Sequence, residues 1–300
     1  MSTYNLTVQT EDSDKRIDVY LTEQLTDLPS RTFIKKLIDG GHVTINAAKI
    51  KAKHKVAEGE QVIVDIPAGF LKVEHIAPEE IDLDIFYEDP YLVIINKPAG
   101  MIVHPAVGRH TGTLVNALMH YSQRLSDVNS EIRPGIVHRL DQETSGLLVV
   151  AKDNITHTRL AKQFQRKEVH KKYIALVEGD INFDEGIIDE PIGRNPKYRE
   201  KKAVVYNDDS KESITRYKVI KRHKGVTLVA LYPKTGRTHQ LRVHMMFLKH
   251  SILGDDKYGK RSSFPRLALH AQMLGFKHPH TKQFVEFISP PPKEFLEAVS

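Results

Sequence analysis

The longest uninterrupted apolar runs in this 300-residue chain, such as Leu147-Leu-Val-Val-Ala151, have the length of a β-strand. They fall far short of the ~20 residues that a helix needs to cross a bilayer, so no membrane partner is expected. Short apolar blocks bounded by polar turns read instead as strands. Further strands are expected at Leu92–Ile95, Tyr173–Val177, Val226–Tyr232 and Phe284–Ile288. Helical spacing is expected over Gly112–Tyr121, from the N-cap Asn154 to about Lys167, over Thr238–Lys249, and from Pro292 onward. Strands outnumber these helices and do not alternate strictly with them. That pattern predicts an α+β fold on a mixed, mostly antiparallel sheet flanked by helices and loops. At roughly 150 residues per domain the length suggests about two domains. The chain has no cysteine, which excludes disulfides, thiolate metal sites and a cysteine nucleophile and fits a reducing cytoplasm. The opening Met1-Ser-Thr-Tyr-Asn-Leu6 lacks a basic segment followed by an apolar core, so the expectation is a soluble cytoplasmic protein without a secretion signal.

Charge is unevenly spread. Lys+Arg 44 against Asp+Glu 38 gives +6, a balance that suits a polyanionic partner. Between Arg31 and Lys55 stand seven basic residues against one acid, Asp39. Ile17, Tyr20, Leu21 and Leu25 recur at helical spacing and predict a helix of about three turns. Ser30 can cap a second helix, Arg31 to Asp39, which buries Phe33, Ile34, Leu37 and Ile38 and ends at Gly40-Gly41. Arg31, Lys35 and Lys36 lie on its opposite face. Lys49, Lys51, Lys53 and Lys55 alternate, so an extended segment would turn them all one way. Two elements that become basic together predict a phosphate-binding face. Strands should follow at His42–Asn46 and Gln61–Ile66.

Leu28-Pro-Ser-Arg-Thr-Phe-Ile-Lys-Lys-Leu-Ile-Asp-Gly-Gly-His-Val-Thr-Ile-Asn46 resembles an S4 RNA-binding domain, a small α/β fold that presents a basic helix to structured RNA. The resemblance implies an RNA-binding domain over 14–67, a linker over 68–80 and a second domain over 81–300. Ala47 departs from the family, which has glycine in the turn after the asparagine.

The second domain holds a dense polar segment, Arg133 to Lys152, in which His138-Arg-Leu-Asp141 and a Thr-Ser-Gly turn precede the buried strand. By itself an aspartate in a turn is more often a local hydrogen-bond acceptor than a catalyst. The longer match His138-Arg-Leu-Asp-x-x-Thr-Ser-Gly-Leu-Leu-Val-Val-Ala-Lys152 resembles the signature of the RluA/RluD family of pseudouridine synthases. Tyr87–Gly100, Gly112–Leu118, Lys171–Gly179, Thr235–His244 and Ile252–Gly259 agree with it in order, and an S4 domain in front is the usual arrangement of the RluD branch. Gln142-Glu143 replaces the commoner Lys-Asp.

The resemblance implies an isomerase that breaks the N-glycosidic bond of a uridine, turns the uracil and rejoins it through carbon. The substrate would be RNA, most often large-subunit ribosomal RNA or a ribosome precursor. No cofactor or metal is implied, since nothing is exchanged with a second substrate, and the enzyme is expected to be a monomer. The base must leave its stack, and a carboxylate must work near C1′/C2′ as nucleophile or base. Asp141 takes that role by resemblance, Arg242 pairs with it, Tyr173 lies against the base, and Arg139 fills the gap left by the flipped uridine. Arg194, Lys197 and Arg199, in a basic stretch around Tyr198, are candidates for backbone contact. A non-catalytic RNA-binding protein would have lost Asp141 or Arg242; both stand here. A metal-dependent nuclease or deaminase would want clustered carboxylates or a zinc set, and the five-residue spacing of His239 and His244 puts them on different faces of a helix.

Overall fold

A computed structural model describes every residue except 1, 27, 29–30, 68–69, 71–75, 106–109, 123–124, 129–133 and 260–263, and only the backbone of Thr32. The chain divides into two compact units, Met1–His75 and Ile76–Ser300.

The first unit packs α1 (Ile17–Gln24) and α2 (Arg31–Asp39) on a four-stranded sheet. Its strands are β1 (Ser2–Thr7), β2 (Val43–Ile45), β3 (Ala48–Lys49) and β4 (Gln61–Ile66), in the order β1-β4-β2-β3. The helix α2 runs where the apolar spacing put it, whereas α1 stops after eight residues, shorter than the expected three turns. The cap expected at Ser30 lies outside the described residues. Gly41, at φ +74, ends α2: its N–H donates to Ile38 O and that of His42 to Leu37 O, at 3.0 and 2.9 Å. This paired closure satisfies carbonyls that the helix end leaves free. The strand β1 lies ahead of the expected start at Asp14 and pairs with β4 along its whole length, so the sheet begins at the second residue. Of the expected linker, 68–69 and 71–75 lie outside the described residues. At its edges Phe70 already packs with Phe33 and His42 in the first unit, and Ile76 is buried in the second.

Two details of the basic face differ from expectation. The lysines do not continue one extended strand: β3 ends at Lys49, and the chain turns at 51–54, where His54 N–H donates to Lys51 O. The alternation reflects Ala52 and Val56 tucked inside a turn rather than a flat ribbon. Arg31 is not free either. It shares the buried Asp18 carboxylate with Arg16, and Lys55 pairs with Asp14. Lys35, Lys36, Lys49, Lys51 and Lys53 remain exposed, without an acid partner among the described residues.

The second unit is built on one nine-stranded sheet. In chain order the elements are β5 (Ile85–Glu88), β6 (Leu92–Lys97), α3 (Leu114–Tyr121), β7 (Ser145–Ala151), α4 (Asn154–Gln165), β8 (His170–Glu178), β9 (Glu185–Asp189), β10 (Ile192–Arg194) and β11 (Lys202–Val204). After them come β12 (Ile214–His223), β13 (Val226–Pro233), α5 (Gln240–Phe247), β14 (Leu269–Lys277), β15 (Phe284–Ile288) and α6 (Lys293–Glu297). The sheet order is β5-β6-β7-β14-β8-β13-β12-β9, with β15 also on β14, while β10 and β11 form a separate ribbon. Every pair is antiparallel but one, β7 with β14.

The unbroken apolar runs at β6 and β7 have a physical cause. Val93, Ile95, Leu148 and Val150 face one core, with α3; Leu92, Ile94, Leu147 and Val149 face another, with α4. Both sheet faces are covered, and each such side chain contributes roughly 1.5–3 kcal/mol relative to exposure. Helix starts are set by polar side chains. Thr113 and Asn116 close a capping box ahead of α3. For α4 the cap is Asp153 rather than Asn154, whose side chain instead accepts from Ser126 and Asp127. The helix α5 begins at Gln240, later than Thr238, because His239 is left-handed at φ +58.

Candidate active site

The parallel pair is short. Only Ser145 and Gly146 of β7 meet His270 and Ala271 of β14 before the strands part. At Gly146, φ is +112, and a Cβ would stand 2.3 Å from Ala271 O. Only glycine allows the approach, which pins the start of β7 to the middle of the sheet. Asp141 lies four residues upstream, in a turn closed by Thr144 N–H donating to Asp141 O. From the other side the turn is clamped by Lys97, the fully buried last residue of β6. Its Nζ donates to Pro98 O, Met101 O and Gln142 O at 2.8–2.9 Å. Burial pulls Lys97 down to about 8, against the opposing charges of Glu143 and Asp141. Three carbonyl acceptors supply what the missing water would have.

Beside this turn lies a pocket of about 120 Å3 lined by Asp141, Arg139, Tyr173, Arg242, Lys171, His239 and other residues of the β13–α5 turn. The structure therefore brings together the four residues that the sequence assigned to the site. Arg242 extends from the first turn of α5, with Nη1 3.6 Å from Asp141 Oδ2. Its Nε and Nη2 are held at 2.7 Å by both oxygens of Asp255, and its guanidinium lies 5.0 Å over the Tyr258 ring. Burial alone would lower Arg242, but the hydrogen bonds and charge of Asp255, then the charge of Asp141, raise it. The start of α5 is fixed by the buried Gln240. Its Oε1 accepts from Thr235 Oγ1 and Arg237 N, and its Nε2 donates to Ile214 O and Thr215 Oγ1.

Tyr173 projects from β8 and lines the pocket. Burial, then the charge of Asp141, raise its phenol, which therefore stays protonated. Arg139 is exposed at the mouth, with Nη1 3.4 Å from His104 Nε2. His138 points away from the pocket. It stacks on Phe164 and accepts from Val149 N at 3.1 Å. Burial, then the Lys171 charge, pull it down to about 3, so its ring is neutral. His239 Nδ1 meets the Tyr258 hydroxyl, and His244 is held between Thr215 Oγ1 and Glu190 O.

Three residues of the site escaped the sequence reading. Asp255 orients Arg242, Lys97 clamps the Asp141 turn, and Lys171 lines the pocket, pulled down to about 8 by burial. All three stand inside segments singled out for their resemblance, which was the available signal. Of the expected RNA contacts in this unit, Arg194 lies on β10, while Lys197 and Arg199 lie in the turn that joins it to β11. Lys197 and Lys201 flank the Tyr198 ring at 5.3 and 5.5 Å.

A carboxylate held beside an arginine in a polar pocket lined by a tyrosine, in a chain that also carries a small basic helix-and-sheet unit, fits a nucleic-acid-modifying enzyme. The family model for RNA pseudouridylate synthase matches residues 91–246, and that for the S4 domain matches 15–62. The chain belongs to the RNA pseudouridylate synthase family and is an RNA pseudouridine synthase, an isomerase, with an S4 domain at its N-terminal end. It is 43% identical to the uncharacterized RNA pseudouridine synthase YlyB of Bacillus subtilis (strain 168), over 100% of this chain and 98% of that one. It is 38% identical to the ribosomal large subunit pseudouridine synthase D of Escherichia coli (strain K12), over 98% and 92%. Among solved structures it resembles human RNA pseudouridylate synthase domain containing 1, with TM-score 0.61 and 28% identity over 74% of this chain and 88% of that one.

Proposed function

We propose that the protein isomerises specific uridines of large-subunit ribosomal RNA, with Asp141 as the reacting carboxylate. One observation carries this reading: Asp141 Oδ2 stands 3.6 Å from Arg242 Nη1 at a pocket lined by Tyr173. A guanidinium that close can hold the carboxylate's orientation toward a bound ribose. Asp141 either bonds to C1′ or takes the C2′ proton as the N1–C1′ electron pair leaves with the uracil. Once the base has turned, C5 bonds to C1′, the carboxylate is released or the C2′ proton returned, and the C5 proton is exchanged for one on N1. The freed uracil turns against Tyr173, whose ring grips a base without fixing its angle in the plane. Arg139, exposed at the mouth, takes the place that the base vacates. Lys35, Lys36, Lys49, Lys51 and Lys53 of the S4 domain, and Arg194, Lys197 and Arg199 of the ribbon, meet the RNA backbone. The ribosomal substrate is favoured by the full-length similarity to enzymes named ribosomal large subunit pseudouridine synthase D, and a ribosomal substrate supports a cytoplasmic location.

The test is Asp141→Asn with pseudouridine mapping. Wild-type protein should restore discrete pseudouridines to large-subunit ribosomal RNA in cells that lack it, and the variant none. Loss of a covalent or proton-transfer catalyst costs several orders of magnitude, so a variant with a tenth of wild-type turnover would mean that another group carries the chemistry. Ribosomal RNA unchanged by removal of the protein would overturn the substrate.

A further inference from the structure

Next to the Asp141 pocket is a second, larger cleft of about 480 Å3, lined by Arg194, Lys202, Lys211, Arg237, Asn207, Asp209 and Thr238 with Ile192 and Gly193. Its geometry follows from the ribbon register. Arg194 of β10 is directly opposite Lys202 of β11, and Ile192 is opposite both Val204 and Lys211. Opposed residues share a face, so Arg194, Lys202 and Lys211 all lie on the side of the ribbon where Ile192 is buried. Arg237 enters from the turn before α5, its Nε bonded to Glu212 O. None of these four cations has an ion pair among the described residues, and Asp209 is the one acid in the lining.

Such an arrangement is unfavourable by itself. Like charges directly opposite on an antiparallel pair repel and destabilise it, and neither Arg194 nor Lys202 has an ion pair among the described residues. An anion between them would offset the repulsion. Arg237 and Thr238 line both this cleft and the Asp141 pocket, so a strand with one nucleotide in the pocket runs past Arg237 into the cleft. We propose that the cleft is a subsite for the RNA backbone flanking the target uridine, in which Lys202, Lys211, Arg194 and Arg237 bind phosphodiesters and fix the register of the strand. This rests on the chain acting on RNA, not on which RNA. Phosphate contacts position a strand without reading its sequence, so the subsite accepts any flanking base.

The experiment uses the full chain with Lys202→Gln, Lys211→Gln and both together, leaving every residue of the Asp141 pocket in place. Binding to a ten-nucleotide oligouridine is measured against salt, alongside thermal melting and single-turnover conversion of a large-subunit ribosomal transcript. Each lost contact should flatten the slope of log affinity against log salt by roughly 0.7, so the double variant should lose about 1.4. Its KM for the transcript should rise roughly tenfold or more while kcat stays within about twofold, as expected when uniform binding is removed. Melting should stay put or rise, since the opposed pair no longer repels. An unchanged salt slope overturns the subsite, as does a fall in melting temperature and kcat together, the mark of a structural role. Because the oligouridine is not ribosomal, its binding decides the subsite even if wild-type protein leaves the ribosomal transcript unconverted, an outcome that would count against the ribosomal reading alone.

Discussion

Asp255→Asn tests whether the site depends on a carboxylate that never meets substrate. Asp255 is 1% exposed and Arg242 8%. Both hydrogen bonds between them are 2.7 Å, and Asp255 Oδ1 also accepts from Lys257 N and Tyr258 N. At that distance the gross attraction is about 6 kcal/mol with an effective dielectric constant near 20, much of it offset by taking both ions out of water. Removing one partner of such a pair typically costs about 3–5 kcal/mol, because the other charge stays buried and unpaired. Asparagine keeps the volume and the acceptor for the two backbone amides, which points to the low end, about 3 kcal/mol. Arg242 would then answer only to Asp141, 3.6 Å away, and should close on it as a direct hydrogen bond. A reacting group misplaced by about 1 Å can cost ~100-fold, so kcat should fall between roughly 10- and 100-fold. Urea unfolding and single-turnover pseudouridine formation read the two effects, and a cycle with Arg242→Gln isolates the pair. Asp255→Asn should cost at least about 1.5 kcal/mol less in the Arg242→Gln background. Additive effects, or a single variant within about 1 kcal/mol and twofold of wild type, would refute the assignment.

Two other outcomes follow from groups outside the pocket. Burial, with the Lys171 charge, pulls His138 down to about 3; burial, with the Arg266 charge, pulls His270 down to about 4, from an ordinary 6.5. The unfolded chain takes up these protons near pH 6.5 and the folded chain does not, so this stability is complete above that pH and is lost as pH falls toward 3–4. Each contributes up to about 1.4 kcal/mol per pH unit, or about 2 kcal/mol at pH 5; His138→Gln and His270→Gln should each flatten the pH dependence of urea unfolding, and equal slopes would show that other groups titrate. In the first unit Asn46 and Ala47 turn from β2 to β3 with φ +50 and +64, the conformation of a two-residue hairpin that favours glycine. Relief of roughly 1 kcal/mol of left-handed strain, less the added freedom of an unfolded glycine, should make Ala47→Gly about 0.5 kcal/mol more stable in urea, with RNA affinity unchanged.

How far the sequence could be read follows from what surrounds each element. Strands β6, β7 and β13 were legible as apolar runs because both of their faces are covered. β12 was not: one face meets solvent, and Arg216, Lys218 and Lys221 interrupt the run. β14 was hidden differently. It is buried, but His270 and Gln272 stand inside it, and His270 is tolerated only because Ser145 and Ser289 supply hydroxyl partners to its two nitrogens. Those serines lie 125 and 19 positions away in the chain, so no local pattern announces them.

The same reasoning divides the site. Asp141 and its turn are one consecutive motif, and Arg242 and Tyr173 stand in two others, so local sequence reaches all three. It does not reach the roles of the side chains that hold them. Asp255 sits beside Asp256, and only the fold turns the first inward to Arg242, leaving the second in an exposed turn. Lys97 follows an apolar strand and reads as its solvated end, yet it is buried against carbonyls, one of them 45 positions away. Periodicity reports which residues leave water; whether a polar residue can leave with them depends on a partner that the fold brings from elsewhere. Asp255 and Lys97 lie inside matching segments as well, but the role of each is set by a partner distant in the chain, and until the fold supplies that partner an Asp or Lys looks like any other surface charge.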